Sequence, residues 1–153
     1  MLYNCGERDI PFDENKMKCA IKENFYDREE RAFYISTANK KVYTELGNAF
    51  ATLIGLGTET VYHKLKSKSF VPATLSMLCY VYDALLLYDK NNTDYILQDI
   101  RTKYSYMLSK GATTFWETIK GETDFNGAGS LCHGWSAMPV YYYHILGVAK
   151  YEL

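Results

Sequence analysis

Apolar residues recur at three- and four-residue spacing along most of this chain, and a period near 3.6 leaves helices as the main regular element it can form. Met17, Ala20, Ile21 and Phe25 set a first amphipathic helix near residues 15–26. The charged stretch from Tyr26 to Thr37, briefly alternating at its end, reads as a loop with an extended piece. Val42, Leu46, Ala49, Phe50 and Leu53 share the stripe of a second helix that Gly55-Leu-Gly57 closes. Thr58 is placed to cap a third, with Val61, Tyr62 and Leu65 inside and Lys64, Lys66 and Lys68 facing water. Pro72 suits the start of a fourth, whose wide apolar face carries Leu75, Leu78, Cys79, Tyr82, Leu85 and Leu86. After the polar turn Asp89–Thr93, Ile96, Ile100, Tyr104, Met107 and Leu108 make a fifth helix, ended at Lys110-Gly111. A sixth is expected from Ser136, as cap, through Val140, Tyr143 and Leu146 to Gly147. Short connections between such helices favour antiparallel hairpins, so the expected class is all-α in a single domain spanning 1–153.

Composition narrows the partners. Seventeen basic residues against 18 acidic ones give a net charge of −1 with neither sign gathered, which excludes the basic face that nucleic acid or an anionic membrane would select. No apolar run approaches the roughly 20 residues of a membrane span. The start, Met1 to Asp9, lacks a basic segment leading into an apolar one, so no signal peptide is read there and a cytoplasmic location is expected. Cys5, Cys19, Cys79 and Cys132 lie too far apart for a zinc site or a disulfide framework, and reduced, mostly buried thiols are expected. Neither a metal nor another cofactor is implied. Aromatics reach 16%, enough to furnish stacking platforms for sugar rings, although in a helical protein most aromatics fill the core.

One stretch breaks the helical period. Residues 111–135 run for about 25 residues with little periodicity, and loops of that length inside compact domains are usually functional or disordered. Glycines, two tryptophans, a histidine and a glutamate argue for function. Glu117 follows Trp116, and a carboxylate beside an indole is partly desolvated, which suits general acid/base work. In isolation such a pair is more often a solvated helix flank. His133, in Cys132-His-Gly-Trp-Ser136, can donate to a substrate hydroxyl, and Trp135 can offer a stacking face. Each has an equally ordinary structural role. Cys132 with His133 is too close-set for a metal pair, and the two lack an orienting third group for nucleophilic catalysis. Glu122 and Asp124 read as solvated. Asp83 and Asp99, within helices, read as exposed or paired. No serine-hydrolase elbow, phosphate-binding loop or H-E-x-x-H motif is present.

Two strings tie these residues together. Gly111-Ala-Thr-Thr-Phe-Trp-Glu-Thr-Ile-Lys-Gly121 and Asp124-Phe-Asn-Gly-Ala-Gly-Ser-Leu-Cys-His-Gly-Trp-Ser-Ala-Met-Pro139 resemble the end of the catalytic domain of glycoside hydrolase family 78, the bacterial α-L-rhamnosidase-like enzymes. Leu46–Phe50, Val71–Met77 and Tyr82–Leu86 resemble the same family. The resemblance implies an (α/α)6 barrel, the six-hairpin glycosidase fold, and inverting hydrolysis of terminal α-L-rhamnosyl or related bonds. It gives Glu117 the role of general base, places His133 and Trp135 around the sugar, and has Trp116 help shape that subsite. Inversion needs a second carboxyl about 6.5–9.5 Å away as general acid. The acidic motif that carries it in the family has no counterpart in residues 1–110. About six helices are also half of a twelve-helix barrel. The expectation is a C-terminal half-domain, inactive alone as a glycosidase, with a carbohydrate as ligand and self-association through apolar faces that the other hairpins would cover. The competing expectation is a non-catalytic helical carbohydrate-binding or structural fragment.

Overall fold

The computed structural model describes residues 13–147; the expectations for the Met1–Asp9 segment and for Cys5 lie outside the described residues. Helix α1 spans Glu14–Phe25, with the Asp13 side chain accepting from the Lys16 amide at 3.0 Å as its N-cap. Its apolar stripe finds little cover. Met17 and Ala20 are exposed, Ile21 and Phe25 half-buried, and none of its residues is buried.

Where a loop with an extended piece was expected, the chain makes a small antiparallel sheet of β1 (Tyr26–Asp27), β2 (Ala32–Ser36) and β3 (Asn39–Tyr43) in that order. The register sets Tyr26 opposite Phe33 and Tyr34 opposite Tyr43, with an irregularity between Tyr34 and Ser36. Val42 therefore belongs to a strand, not to the second helix. Local polar chemistry makes the first turn: Asp27 Oδ1 accepts the Glu29 and Glu30 amides at 2.8 and 3.1 Å. The Tyr43 hydroxyl donates to Asp27 Oδ2 at 2.7 Å; burial, and then this carboxylate, push that phenol up to about 12. Buried Asn48 docks the sheet, accepting the Phe33 N–H and donating to the Phe33 carbonyl, both at 2.9 Å.

The helices follow largely as the period predicts. Helix α2 (Glu45–Leu53) is capped by Thr44 and α3 (Glu59–Lys66) by Thr58, each hydroxyl accepting an amide of the first turn. Helices α4 (Leu78–Tyr88) and α5 (Thr93–Ser109) form a hairpin across buried Asn92, whose Nδ2 donates to the Leu85 and Asp89 carbonyls at 2.9 and 2.7 Å. The Tyr62 hydroxyl closes the same turn onto α3, 3.1 Å from Asn92 Oδ1. Helix α6 (Pro139–Ile145) completes six α-helices. Val61, Leu65, Leu75, Leu78, Tyr82, Leu85, Ile96, Ile100, Met107 and Tyr142 build one core between them. The architecture is thus mostly helical, with six α-helices and one small sheet among the described residues.

Two helix starts move. Pro72 lies in an extended segment, and α4 begins only after a 3-10 turn at Leu75–Met77. The segment cannot coil because its backbone bonds outward: the Val71 amide donates to the Tyr43 carbonyl, and the Glu45 amide to the Val71 carbonyl, both at 2.9 Å. Ser136 does not cap α6. Its amide donates to the His133 carbonyl inside a 3-10 turn (Gly134–Ala137), and Pro139, pre-set in φ, starts the helix instead. The thiols also differ from expectation: Cys19 on the open α1 and Cys132 in the long loop are exposed, Cys79 is half-buried, and all three are free.

Asp99 is the main buried charge of α5. Lys68 Nζ and the Tyr82 hydroxyl each lie 2.7 Å from its carboxylate oxygens, and Lys103 one turn along also pairs with it. Lys68, exposed as expected, thus also spans the α3–α5 gap through its ion pair. Burial alone would raise the Asp99 carboxyl, but the hydrogen bonds from Lys103, Lys68 and Tyr82 outweigh it and hold it below the ordinary value of 3.8. A depressed carboxyl contributes stability above its unfolded value and loses it as pH falls through the lower folded one. Asp99→Asn should therefore cost about 2–3 kcal/mol at neutral pH, somewhat less than a fully buried pair because Lys68 is half in water. Urea unfolding of both proteins across acid pH should show that difference shrink as the solution drops below the ordinary aspartate range.

Candidate functional site

The loop from Gly111 to His133 is irregular in dihedrals but closely bonded. Two stretches, Thr114–Glu117 and Ser130–His133, run side by side. The Glu117 amide donates to the Ser130 carbonyl at 2.9 Å, the His133 amide to the Phe115 carbonyl at 2.7 Å, and the Thr114 hydroxyl to the Leu131 carbonyl. Between them the chain reverses through Gly121–Thr123 and then Phe125, Asn126 and Gly127, all at positive φ (51°, 60° and 88°). The Asp124 carbonyl gathers the amides of Gly127, Ala128 and Gly129 at 3.0–3.1 Å. The Asp124 carboxylate accepts the Phe125 amide, the chief reason it is held below its usual range. So this aspartate shapes the turn, and it does not line the cleft described next.

That loop forms one wall of an open cleft of about 720 Å³. Glu117, His133 and Trp135 line it together. Facing them are Thr44, Gly47 and Phe50 from the start of α2, Pro72–Thr74 and Ser76–Met77 from the extended segment, and Ile35 from β2. The Ser76 amide donates to the Glu117 carbonyl at 3.3 Å, so the glutamate is fixed from both sides by its backbone. Its carboxylate is half-buried and makes no hydrogen bond or ion pair with the described residues. A carboxylate held this way can accept from a water or a ligand. His133 Nδ1 is buried and also lacks a protein partner among the described residues, while the His133 ring meets the exposed Trp135 indole edge-on at 6.2 Å. Buried Tyr104 positions this pair from behind, its hydroxyl donating to the Ser136 carbonyl and its ring packing edge-on against Phe115 at 6.0 Å.

Trp116 goes elsewhere. Consecutive residues of an extended stretch point to opposite sides, so Trp116 turns away from Glu117 and lines a separate groove behind the loop. Glu122 lines that groove as well. The opposite wall of the cleft was visible in the sequence only as helix stripe and turn residues, and Ile35 carried no signal at all.

Behind that wall sits Glu45, 6% exposed, whose Oε2 accepts the Ala73 amide at 2.9 Å. Burial raises its carboxyl above the ordinary range, with the Ala73 amide and the Lys103 and Lys68 charges partly opposing. Among the described residues lining the cleft there is no lysine or arginine, and Glu117 is the sole carboxylate. No cluster of three metal-ligating side chains occurs among the described residues, and no described helix is long and apolar enough to cross a membrane.

A family profile for the bacterial alpha-L-rhamnosidase 6 hairpin glycosidase domain matches residues 13–145, nearly all of the chain. The chain belongs to this family. No curated protein and no solved structure matches it. Membership places the chain among six-hairpin glycosidase domains.

The loop that makes this site depends on one close approach. A Cβ on Gly129 would lie 1.9 Å from the Gly121 carbonyl oxygen, which no side chain can relieve because the obstacle is backbone. Gly129→Ala should lower unfolding free energy by about 2 kcal/mol or more, as overpacking does, and should shift the amide resonances of Glu117 and Ser130 in the folded protein. Wild-type-like values in both measurements would mean the loop does not close this way.

Proposed function

We propose that this chain supplies the base-and-sugar half of an inverting glycosidase that removes terminal α-L-rhamnosyl or related neutral residues. The observation that carries the reading is Glu117, a half-buried carboxylate without a protein partner among the described residues, opening into the same cleft as His133 and Trp135. In this reading Glu117 takes a proton from a water as the water oxygen bonds to the anomeric carbon. The glycosidic C–O bond breaks with inversion, and the leaving oxygen takes a proton from an acid carboxyl about 6.5–9.5 Å from the base. His133 lines the sugar's side of the cleft, and Trp135 supports the ring face. Trp116 acts on the site only through the backbone it shares with Glu117. A cleft without cationic lining suits a neutral sugar over a uronate, whose carboxylate would meet Glu117 with nothing to offset the repulsion.

The acid is assigned to hairpins beyond this chain, which is proposed to be the C-terminal half of the catalytic barrel. One observation favours the alternative of a carbohydrate-binding module without catalysis: Glu117 has no second carboxylate beside it in the cleft lining. The two readings part on Glu117→Gln. In the enzyme with its complete barrel, this change should lower kcat roughly 10³-fold, within the range of general-base loss, and leave the melting temperature unchanged. A near-normal rate would remove Glu117 from the base role. The 153-residue chain by itself should release no nitrophenol from an aryl α-L-rhamnoside.

The exposed apolar side chains bear on assembly. Leu87 (63%), Leu108 (64%), Val140 and Tyr141 (both 55%) stand in water on α4, α5 and α6, where a full barrel would have further helices. We place the missing cover, for the isolated chain, in a second copy. Sedimentation velocity at micromolar concentration should show a species larger than 17.6 kDa, and a single monomer boundary would exclude this assembly.

A further inference from the structure

The groove behind the loop has a chemistry of its own. It measures about 520 Å³ and is lined by Tyr106 and Lys110 from the end of α5, Thr113, Trp116, and Lys120 and Glu122 from the turn. Tyr106 is 46% exposed, and Lys110 Nζ stands 5.5 Å from its ring centroid. Trp116 is held in place by a close backbone approach. A Cβ on Gly121 would fall 3.0 Å from the Trp116 ring, and Gly121 takes φ +59°, so glycine alone lets the indole lie against the turn. The Glu122 carboxylate and Thr113 hydroxyl make no hydrogen bond or ion pair with the described residues, and Lys120 has only Asp124 at 3.8 Å.

We propose that this groove is a second carbohydrate site, separate from the cleft, that takes a neutral pyranose. Two aromatic side chains give C–H-facing surfaces, while donors (Lys110, Lys120, Thr113) and acceptors (Glu122, Thr113) surround them. The two lysines are balanced by Glu122 and Asp124, so an ionic ligand of either sign gains no net attraction. The lining mixes polar and apolar surface about equally, Ile119 and Leu131 supplying part of the latter, and so does not match the face of an apolar helix. What remains complementary is an uncharged ligand with an apolar ring face and hydroxyls that both donate and accept. Trp116 and Glu117 are neighbours on opposite sides of one extended stretch, so a sugar in the groove bears on the backbone that carries Glu117. The site does not depend on Glu117 being a catalytic base.

The protein has two tryptophans, one in each depression, so each is read out separately. In the Trp135→Phe protein, emission from Trp116 should change saturably with methyl α-L-rhamnopyranoside or maltose. Tyr106→Ala and Glu122→Ala should each weaken that response about tenfold with unchanged circular dichroism, since both side chains are exposed. In the Trp116→Phe protein, the response of Trp135 in the cleft should be indifferent to Tyr106→Ala. A flat Trp116 signal through hundreds of millimolar of either sugar overturns the groove, and so does a response that survives Tyr106→Ala. Tighter binding of glucuronate than of the neutral sugars overturns the assignment of ligand class. A Trp135 response without a Trp116 response removes the groove alone and leaves the reading of the cleft standing.

Discussion

The extended segment Val71–Thr74 has no helix or sheet of its own to satisfy its backbone, and the structure depends on how it is satisfied. A buried amide or carbonyl without a partner costs as much as a lost hydrogen bond. Val71 solves this by bridging Thr44 in parallel, its amide on Tyr43 and its carbonyl on the Glu45 amide. Ala73 solves it with a side chain, donating to the Glu45 carboxylate. One turn later the Ser76 amide reaches the Glu117 carbonyl. The sheet, the start of α2, the turn before α4 and the long loop are therefore joined through the six consecutive residues from Val71 to Ser76. Those junctions are the walls of the cleft. Glu45 is buried to make this possible, which is why its carboxyl is raised. That raised carboxyl gives its stabilisation below the ordinary glutamate range and loses it as pH rises through the higher folded value, the opposite sense to Asp99.

The packing of the described helices is asymmetric. Helix α4 is apolar on a wide face and buries Leu78, Val81, Tyr82 and Leu85, yet leaves Leu87 in water. Helix α1 buries nothing despite an amphipathic sequence. Helix α6 buries Pro139 and Tyr142, the Tyr142 hydroxyl donating to Asp83 and to the Cys79 carbonyl at 2.6 and 2.7 Å, while Val140, Tyr141 and Ile145 are exposed. Apolar side chains thus exceed the surfaces available to cover them among the described residues, which is the observation behind the assembly proposed above.

Helix positions were legible because 3.6-residue periodicity and threonine caps act locally; Thr44 and Thr58 cap as their types suggest, although only Thr58 was read in advance. What failed was long-range. Val42 and Pro72 look helical by pattern, but pairing of β3 with β2 makes the first extended, and the bridge from Thr44 to Val71 holds the segment of the second. The three-stranded sheet is short, and buried Asn48, which docks it, looks in sequence like an ordinary helix residue. Ser136 resembles a cap until the 3-10 turn before Pro139 is seen. The long loop was legible for the opposite reason. Its lack of period, its glycines and its paired aromatic-polar strings set it apart, and Glu117, His133 and Trp135 do converge on one cleft.

Trp116 shows where adjacency in sequence misleads. A Trp-Glu pair invites the picture of an indole desolvating its neighbour, which requires both side chains on one side of the chain. In a helix or a tight turn that is possible. Here the stretch is extended, bonded to Ser130 on one edge and to Ser76 on the other, and alternation sends the two side chains apart. The partial burial of Glu117 comes instead from residues far away in sequence, around Thr44 to Phe50 and Pro72 to Met77. The indole's part is to fix the loop from the rear, against Gly121, while the Trp116 backbone amide donates to the sulfur of Met107 at 3.4 Å. A loop clamped from behind by an aromatic ring can hold a carboxylate still without a side-chain partner, and a carboxylate left without a partner is the one free to bind a water.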